Sequence, residues 1–183
     1  AEPVGRVVCV PVVSGACALV LQARPQGVHV TLRASGARYN ADQQEGDGLV
    51  TGIAGFAPAL WAEAGLGPDE MDVIGVYDDY PAMAVAQLCD LGLAPADDLP
   101  GFIARRIATR DLPVNTAGGQ LSAGQAGTAG GMHGLAEVAR QLLGRAGARQ
   151  VAGARHGVAT GYGMVQLRYG MCANAAVLAR EDA

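Results

Sequence analysis

Three short passages hold the side chains that could do chemistry. Tyr77-Asp78-Asp79-Tyr80 places two phenols and two carboxylates directly after the apolar run Val73-Ile74-Gly75-Val76. Such strand ends are where α/β proteins place ligand sites. Neighbouring carboxylates on an extended chain point to opposite sides, so Asp78 and Asp79 are not a natural acid/base pair. Asp79, ahead of Pro81, also suits a helix cap. The second passage, Asn115 to Gly134, contains seven glycines in 20 residues and feeds a helical pattern with Met132, Leu135, Ala139 and Leu142 on one face. Glycines let backbone N–H groups approach a ligand, and a helix N-terminus near Thr128 adds partial positive charge, which together suit an oxyanion hole or a phosphate contact. The same Gly and Ala also permit dense helix-to-sheet packing. Their spacing is not G-x-G-x-x-G after a strand, so a dinucleotide fingerprint does not fit. The third passage, Gly161-Tyr162-Gly163, reads as a tight turn that either aims a tyrosine or packs it. His29 and His156 lie in apolar strand contexts and read as core histidines, His133 as a surface residue. Cys9, Cys17, Cys89 and Cys172 show no C-x-x-C, so zinc spacing is absent and buried free thiols in a reducing cytoplasm are expected.

The elements that must position these groups follow from periodicity. Val7 to Leu21, rich in valine, reads as two short strands or a strand and a bend, broken at Ser14-Gly15, and Arg24 to Gly27 as a polar linker. Val28 to Ala34 alternates as a strand, and Tyr39 to Gly48 reads as a loop. Thr51 can cap a helix carrying Ile53, Phe56, Leu60 and Ala64, which Gly65 ends. Val73 to Tyr77 is a strand, and Pro81 opens a helix reaching Leu91. Phe102 to Thr109 allows one helical turn. Arg155 to Thr160, Met164 to Tyr169 and Ala173 to Leu178 read as strands. This alternation predicts a layered α/β fold with a partly parallel sheet and an antiparallel end, and the glycine passage as a loop bordering a cleft.

Composition sets the outer bounds. The 183 residues are 50% hydrophobic and 16% charged, enough apolar side chain for a core and too little charge for disorder. All 13 basic residues are Arg, so a Walker phosphate loop, which needs Lys, is excluded. A net charge of −4 with no basic stripe argues against nucleic acid. No run of about 18 apolar residues is present, so no transmembrane helix is expected. The chain begins at Ala1 rather than Met, as processed or partial chains do.

Met71 to Tyr80, Leu112-Pro-Val-Asn-Thr-Ala-Gly-Gly119 and Gly124-Gln-Ala-Gly-Thr-Ala-Gly-Gly131 stand in the order seen in the C-terminal half of thiolases, and the chain resembles the lipid-transfer-protein, or sterol-carrier-protein, branch. Pro11-Val-Val-Ser-Gly-Ala16 resembles the segment closing the thiolase N-terminal domain. The resemblance implies a five-stranded mixed sheet between helix layers over residues 27–183, with residues 1–26 closing an N-terminal domain. Thiolases carry Asn-Glu-Ala-Phe or His-Asp-Cys-Phe where Tyr77 to Tyr80 stands, Gly-His-Pro where Gly124-Gln125-Ala126 stands, and often a Cys-x-Gly turn where Tyr162 lies. Without that His and Cys, thiolytic acyl transfer is not expected.

The substitutions are similar to those of thiolase-like aldolases acting on steroid side chains, which cleave a β-hydroxyacyl-CoA by retro-aldol reaction. That likeness implies Tyr77 and Tyr162 as proton-transfer groups, their pKa lowered from about 10 by their surroundings. It implies Gln125 orienting the thioester oxygen, and Asp78, Asn115, Gly118, Gly119, Gly124, Gly127 and Gly163 around the substrate. It implies no metal and no cofactor beyond the coenzyme A of the substrate. Expected partners are a second copy or a chain carrying the missing half, and a small OB-fold acyl-CoA-binding protein. Two other readings stay open: a non-catalytic acyl-CoA-binding or complex-forming subunit, and a Claisen-type acyltransferase.

Overall fold

The computed structural model describes residues 9–40, 51–166 and 169–182. Its centre is a sheet of β1 (His29–Tyr39), β2 (Val73–Gly75), β3 (His156–Gln166) and β4 (Tyr169–Glu181), in the order β1-β4-β3-β2. β2 runs parallel to β3, while β3 with β4 and β4 with β1 are antiparallel. The expected partly parallel sheet with an antiparallel end is therefore present, but with four strands rather than five. Beside β2, residues 112–115 make a single parallel bridge, Ile74 with Val114. The Ile74 N–H donates to the Pro113 carbonyl at 3.0 Å and the Asn115 N–H to the Ile74 carbonyl at 2.8 Å. Pro113 has no N–H to extend a ladder, and Asn115 turns the chain away at φ 49°.

Alternate strand residues face two apolar layers. Ile74, Val158 and Val177 pack with Ile53, Leu60 and Leu88 on the side of α1 (Ala57–Ala64) and α2 (Pro81–Asp90). Val73, Ala159 and Leu178 pack with Val138 and Leu142 of α5 (His133–Leu142) on the other side. At Gly75 and Gly134, β2 and α5 touch backbone to backbone: a Cβ on Gly75 would lie 2.9 Å from the Gly134 carbonyl oxygen. Thr51 caps as expected, accepting from Ile53 N–H at 3.2 Å, and Gly65 ends α1 at φ 66°.

Several local expectations are corrected. Residues 9–21 form no strand pair; they carry one bridge, Val12 with Gln125, and the side chains around it are exposed, with no apolar cover among the described residues. Residues 1–8 and 41–50 lie outside the described residues, and β1 continues to Tyr39. Residues 99–107 form α3 (Leu99–Phe102) and a π-helical turn, Ile103–Ile107. Gly161-Tyr162-Gly163 is not a turn but the interior of β3, paired with Asn174, Ala173 and Cys172. The glycine passage holds α4 (Gly119–Ala123) and a 3-10 helix, Gly127–Met132. Cys9 and Cys17 are exposed and Cys89 and Cys172 half-buried, so the thiols are not a buried set. Among the described residues no helix is long and apolar enough to cross a membrane.

Candidate active site

The end of β2 is held by polar contacts from three directions. The Tyr77 N–H donates to Thr160 Oγ1 of β3 at 3.2 Å, and the Tyr77 carbonyl accepts from Gln87 Nε2 of α2 at 2.6 Å. Thr160 Oγ1 in turn donates to Gln87 Oε1 at 2.5 Å, closing a triangle around a fully buried Gln87. One residue earlier, Asn115 clasps the strand: its Oδ1 accepts from Val76 N–H at 2.9 Å and its Nδ2 donates to the Val76 carbonyl at 3.0 Å. Asn tolerates the left-handed backbone this needs.

Asp78 and Asp79 then diverge. Asp78 is buried and accepts from the N–H groups of Gln120 at 2.7 Å and Leu121 at 3.4 Å, in the first turn of α4. Gly119, at φ 60°, lies so close that a Cβ there would run into the Asp78 carboxylate. Burial pushes Asp78 above the usual carboxylate range, while the Gln120, Leu121 and Asn115 donors pull it back. Asp79 turns the other way and does not cap α2, whose N-cap is Tyr80 with no side-chain bond. Instead Gln125 Nε2 donates to both Tyr77 Oη, at 2.7 Å, and Asp79 Oδ1, at 2.9 Å.

Gln125 is aimed by its backbone. Its N–H donates to the Pro11 carbonyl at 2.9 Å and its carbonyl accepts from Val13 N–H at 3.1 Å. Gly124, at φ 94°, fits against Val13 because it has no side chain. The amino-terminal segment thus seats the amide that meets the tyrosine.

The electrostatics correct one expectation. Tyr77 is pushed up to about 12, by burial first and then by the Asp79 carboxylate, against hydrogen bonds from Gln125 and Gln120. A neighbouring negative charge disfavours phenolate, so the pKa is raised where it was expected to fall. Asp79 is itself raised by burial, and the Tyr77 and Gln125 donors lower it in part.

Tyr162 lies in β3, 7% exposed, within the larger apolar cluster against which Tyr77 also packs. It shares a strand face with Thr160, two residues earlier. Gly118, Gly124 and Gly127 adopt positive φ and shape the backbone of the glycine passage; Gly163 lies in β3. The passage is not sealed in the helix–sheet interface, because Ser122, Ala123, Gly127, Thr128 and Gly131 are exposed. Beneath it a small cavity is lined by Ile74, Asn115, Ala117, His133, Gly134 and Glu137. Gln120 was not anticipated. It is 2% exposed, and its Oε1 has no partner among the described residues. In the sequence it is an ordinary polar residue between glycines, and only the path of the chain brings it to Tyr77. Among the described residues no group of three or more His, Cys, Asp or Glu side chains could hold a metal.

The mixed sheet between helices, with the glycine passage beside the end of β2, agrees with the C-terminal thiolase fold that the resemblance implies, although with four strands. Residues 34–179 match the family described as Thiolase C-terminal domain-like, and the chain belongs to it. Relatives include a 17-hydroxy-3-oxo-4-pregnene-20-carboxyl-CoA lyase of Mycobacterium tuberculosis, 34% identical over 87% of this chain and 44% of its own length. An acetyl-CoA acetyltransferase of Methanothermobacter thermautotrophicus is 31% identical over 86% of this chain and 44% of its own. The solved structure of an Ltp2-ChsH2(DUF35) aldolase superposes with TM-score 0.68 at 21% identity, over 84% of this chain and 40% of that one, which is a likeness of fold. The chain thus spans under half the length of the relatives it matches.

Proposed function

We propose that this chain is the C-terminal part of a thiolase-like C–C lyase that cleaves a β-hydroxyacyl-CoA, of steroid side-chain type, by retro-aldol reaction. The observation that carries the reading is the 2.7 Å contact of Gln125 Nε2 with Tyr77 Oη. Gln125 and Tyr77 stand where the thiolase resemblance calls for a His and for the first residue of its Asn-Glu-Ala-Phe-type motif. Here the two form a phenol–amide pair that can move a proton but cannot make a thiolate. A retro-aldol step needs a base for the β-hydroxyl proton, donors for the thioester enolate and an acid to protonate it, with no acyl-enzyme. The reading gives Tyr77 the β-hydroxyl proton, Tyr162 the protonation of the enolate and Gln125 the holding of the Tyr77 hydroxyl. Asp78 and Asn115 set the frame, and the backbone of Gly118, Gly119, Gly124 and Gly127, with Gly163 beside Tyr162, borders the acyl-CoA. The name of the mycobacterial lyase supports the substrate class.

The reading also includes partners: a second copy or a chain carrying the missing half, and a small OB-fold acyl-CoA-binding protein; the two-component name of the Ltp2-ChsH2(DUF35) aldolase supports a partner chain. Exposed Val12, Val20, Leu21, Leu32 and Tyr39 are apolar surface suited to such contacts. The test is reconstitution of the natural assembly and assay of β-hydroxyacyl-CoA cleavage, with Tyr77→Phe and Tyr162→Phe beside it. Cleavage lost in the variants with ligand binding retained supports the reading. An unmutated assembly that binds acyl-CoA but cleaves none favours a non-catalytic subunit.

A further inference from the structure

We propose that Asp79 is the proton acceptor behind Tyr77, so that the phenol relays the substrate's β-hydroxyl proton to a carboxylate and never has to hold a negative charge itself. The proposal rests on the lyase reading above and assigns the proton a destination within the same site.

Geometry is the starting point. One nitrogen, Gln125 Nε2, holds Tyr77 Oη at 2.7 Å and Asp79 Oδ1 at 2.9 Å, so the phenol and the carboxylate are gathered around a single donor. The phenol and the carboxylate lie close enough around that donor for each to act on the ionisation of the other. The groups that face the pair are accounted for. Gln125 and Gln120 come from the glycine passage and are neutral amides. Asp78, next in the chain, is turned into α4 by the Gln120 and Leu121 N–H groups. Tyr162 of β3 packs in the same apolar cluster. Among the described residues, the groups acting on Tyr77 and Asp79 include no cation.

The chemistry follows from that arrangement. Burial first, and then the Asp79 carboxylate beside it, disfavour a phenolate on Tyr77, which is why its ionisation is pushed up to about 12. A phenol of that kind is a poor base if it must keep the proton. It is a competent relay if it releases its own proton as it accepts another. In the step, the β-hydroxyl proton moves to Tyr77 Oη while the Tyr77 proton moves to Asp79. The O–H electron pair becomes the second bond of the new carbonyl, and the Cα–Cβ pair becomes the thioester enolate. Tyr162 then protonates the enolate carbon, and water takes the proton from Asp79 and restores that of Tyr162, so the cycle gains and loses none. Asp79, raised by burial, has a stronger appetite for that proton than an exposed carboxylate. It acts through Tyr77 and is a positioning and proton-accepting residue, not one that touches substrate.

The experiment uses the reconstituted assembly with Asp79→Asn and Asp79→Glu. Turnover is followed against pH, and the Tyr77 phenol is titrated by ultraviolet difference against Tyr77→Phe. Asp79→Asn keeps the shape and removes the base. It is expected to lower kcat by about 10²-fold with little change in KM, and to move the Tyr77 ionisation below that of the unmutated chain, because the adjacent negative charge is gone. Asp79→Glu should restore most of the turnover. Full turnover in Asp79→Asn, or an unmoved Tyr77 titration, overturns the relay and leaves the lyase reading standing. Glu failing together with Asn while the titration is unmoved assigns Asp79 to structure alone. An assembly that cleaves no β-hydroxyacyl-CoA removes the lyase reading and the relay with it.

Discussion

Two carboxylate clusters flank β2, and they are built on opposite rules. On α5, Glu137 is 5% exposed and accepts from Thr116 Oγ1 at 2.9 Å, Gln141 Nε2 at 3.2 Å and Arg149 at 3.1 and 2.9 Å. Gln141 is answered in turn by the Val151 N–H and the Arg149 carbonyl. Burial alone would raise Glu137, but the Arg149, Thr116 and Gln141 contacts outweigh it and hold the carboxyl below its ordinary range. At Tyr77, Asp78 and Asp79, burial wins: all three are raised, and Gln120 Oε1 beside them has no partner among the described residues. Charge answered by charge makes a brace. Charge answered only by amides and a phenol leaves all three groups holding their protons more tightly than they would in water, the kind of perturbation that marks sites where protons are handled.

The largest expected effect tests that contrast on the reactive side. Tyr77→Phe keeps the ring packed against the core and deletes only the hydroxyl that Gln125 meets. Cleavage by the reconstituted assembly should fall about 10²–10⁴-fold, with stability changed by no more than about 1 kcal/mol. Steady-state turnover beside urea unfolding checks both. The brace should show the converse. Glu137→Ala strips partners from Thr116, Gln141 and Arg149 and should lower stability by about 1–3 kcal/mol, while turnover per folded molecule stays level. If Glu137→Ala reduces that turnover as Tyr77→Phe does, the two clusters are one functional unit and the comparison fails.

What was legible in the sequence follows the same division. Helix starts and stops carried by single residues were readable: Thr51, Gly65 and Pro81 each act locally. The pairing of Tyr77 with Gln125 was visible only as two family positions 48 residues apart, and the contact itself depends on residues 11–13 seating the Gln125 backbone. Asp79 read as a cap because Pro81 follows it, and a cap and a site residue have the same composition. Tyr162 read as a turn residue because two glycines flank it. In β3, Gly161 instead makes room for the Asn174 side chain, a requirement of the neighbouring strand that no local pattern carries. The fifth strand was expected from the resemblance, and Pro113 with Asn115 shortens it to one bridge.

A smaller effect sharpens the role of the amide. Gln125→Ala removes the donor shared by Tyr77 and Asp79 but leaves both groups in place, and its backbone bonds to Pro11 and Val13 remain. Losing these two hydrogen bonds, one to a phenol and one to a carboxylate, corresponds to on the order of tenfold in rate or somewhat more. The expected pattern is a modest drop in kcat, well short of that in Tyr77→Phe. A loss equal to Tyr77→Phe would make Gln125 a direct participant in the reaction.

The smallest effect separates the clusters by the sign of their pH dependence. Glu137 has a folded pKa below its ordinary 4.5, so its stabilisation is fully present above about that pH and is lost as pH falls through the lower folded value. Asp78 and Asp79 have folded values above their ordinary 3.8. Their charged forms weaken the fold at neutral pH, and that penalty lifts as pH falls through the folded values toward 3.8. Glu137→Gln keeps an oxygen for Thr116 and Gln141 but sets an amide against Arg149, so it should be less stable than the unmutated chain at pH 7. Because the unmutated Glu137 itself loses its charge in acid, the gap between the two urea midpoints should narrow as pH falls below about 4.5. In Asp79→Asn the gap should have the opposite sign at pH 7 and also close in acid, since protonating Asp79 removes the charge that the substitution removes. Urea midpoints taken from pH 7 to pH 3 on the three proteins resolve both trends. A gap for Glu137→Gln that stays constant across that range would mean that Arg149 does not hold the charge of Glu137, and the brace would then owe its stability to Thr116 and Gln141 alone.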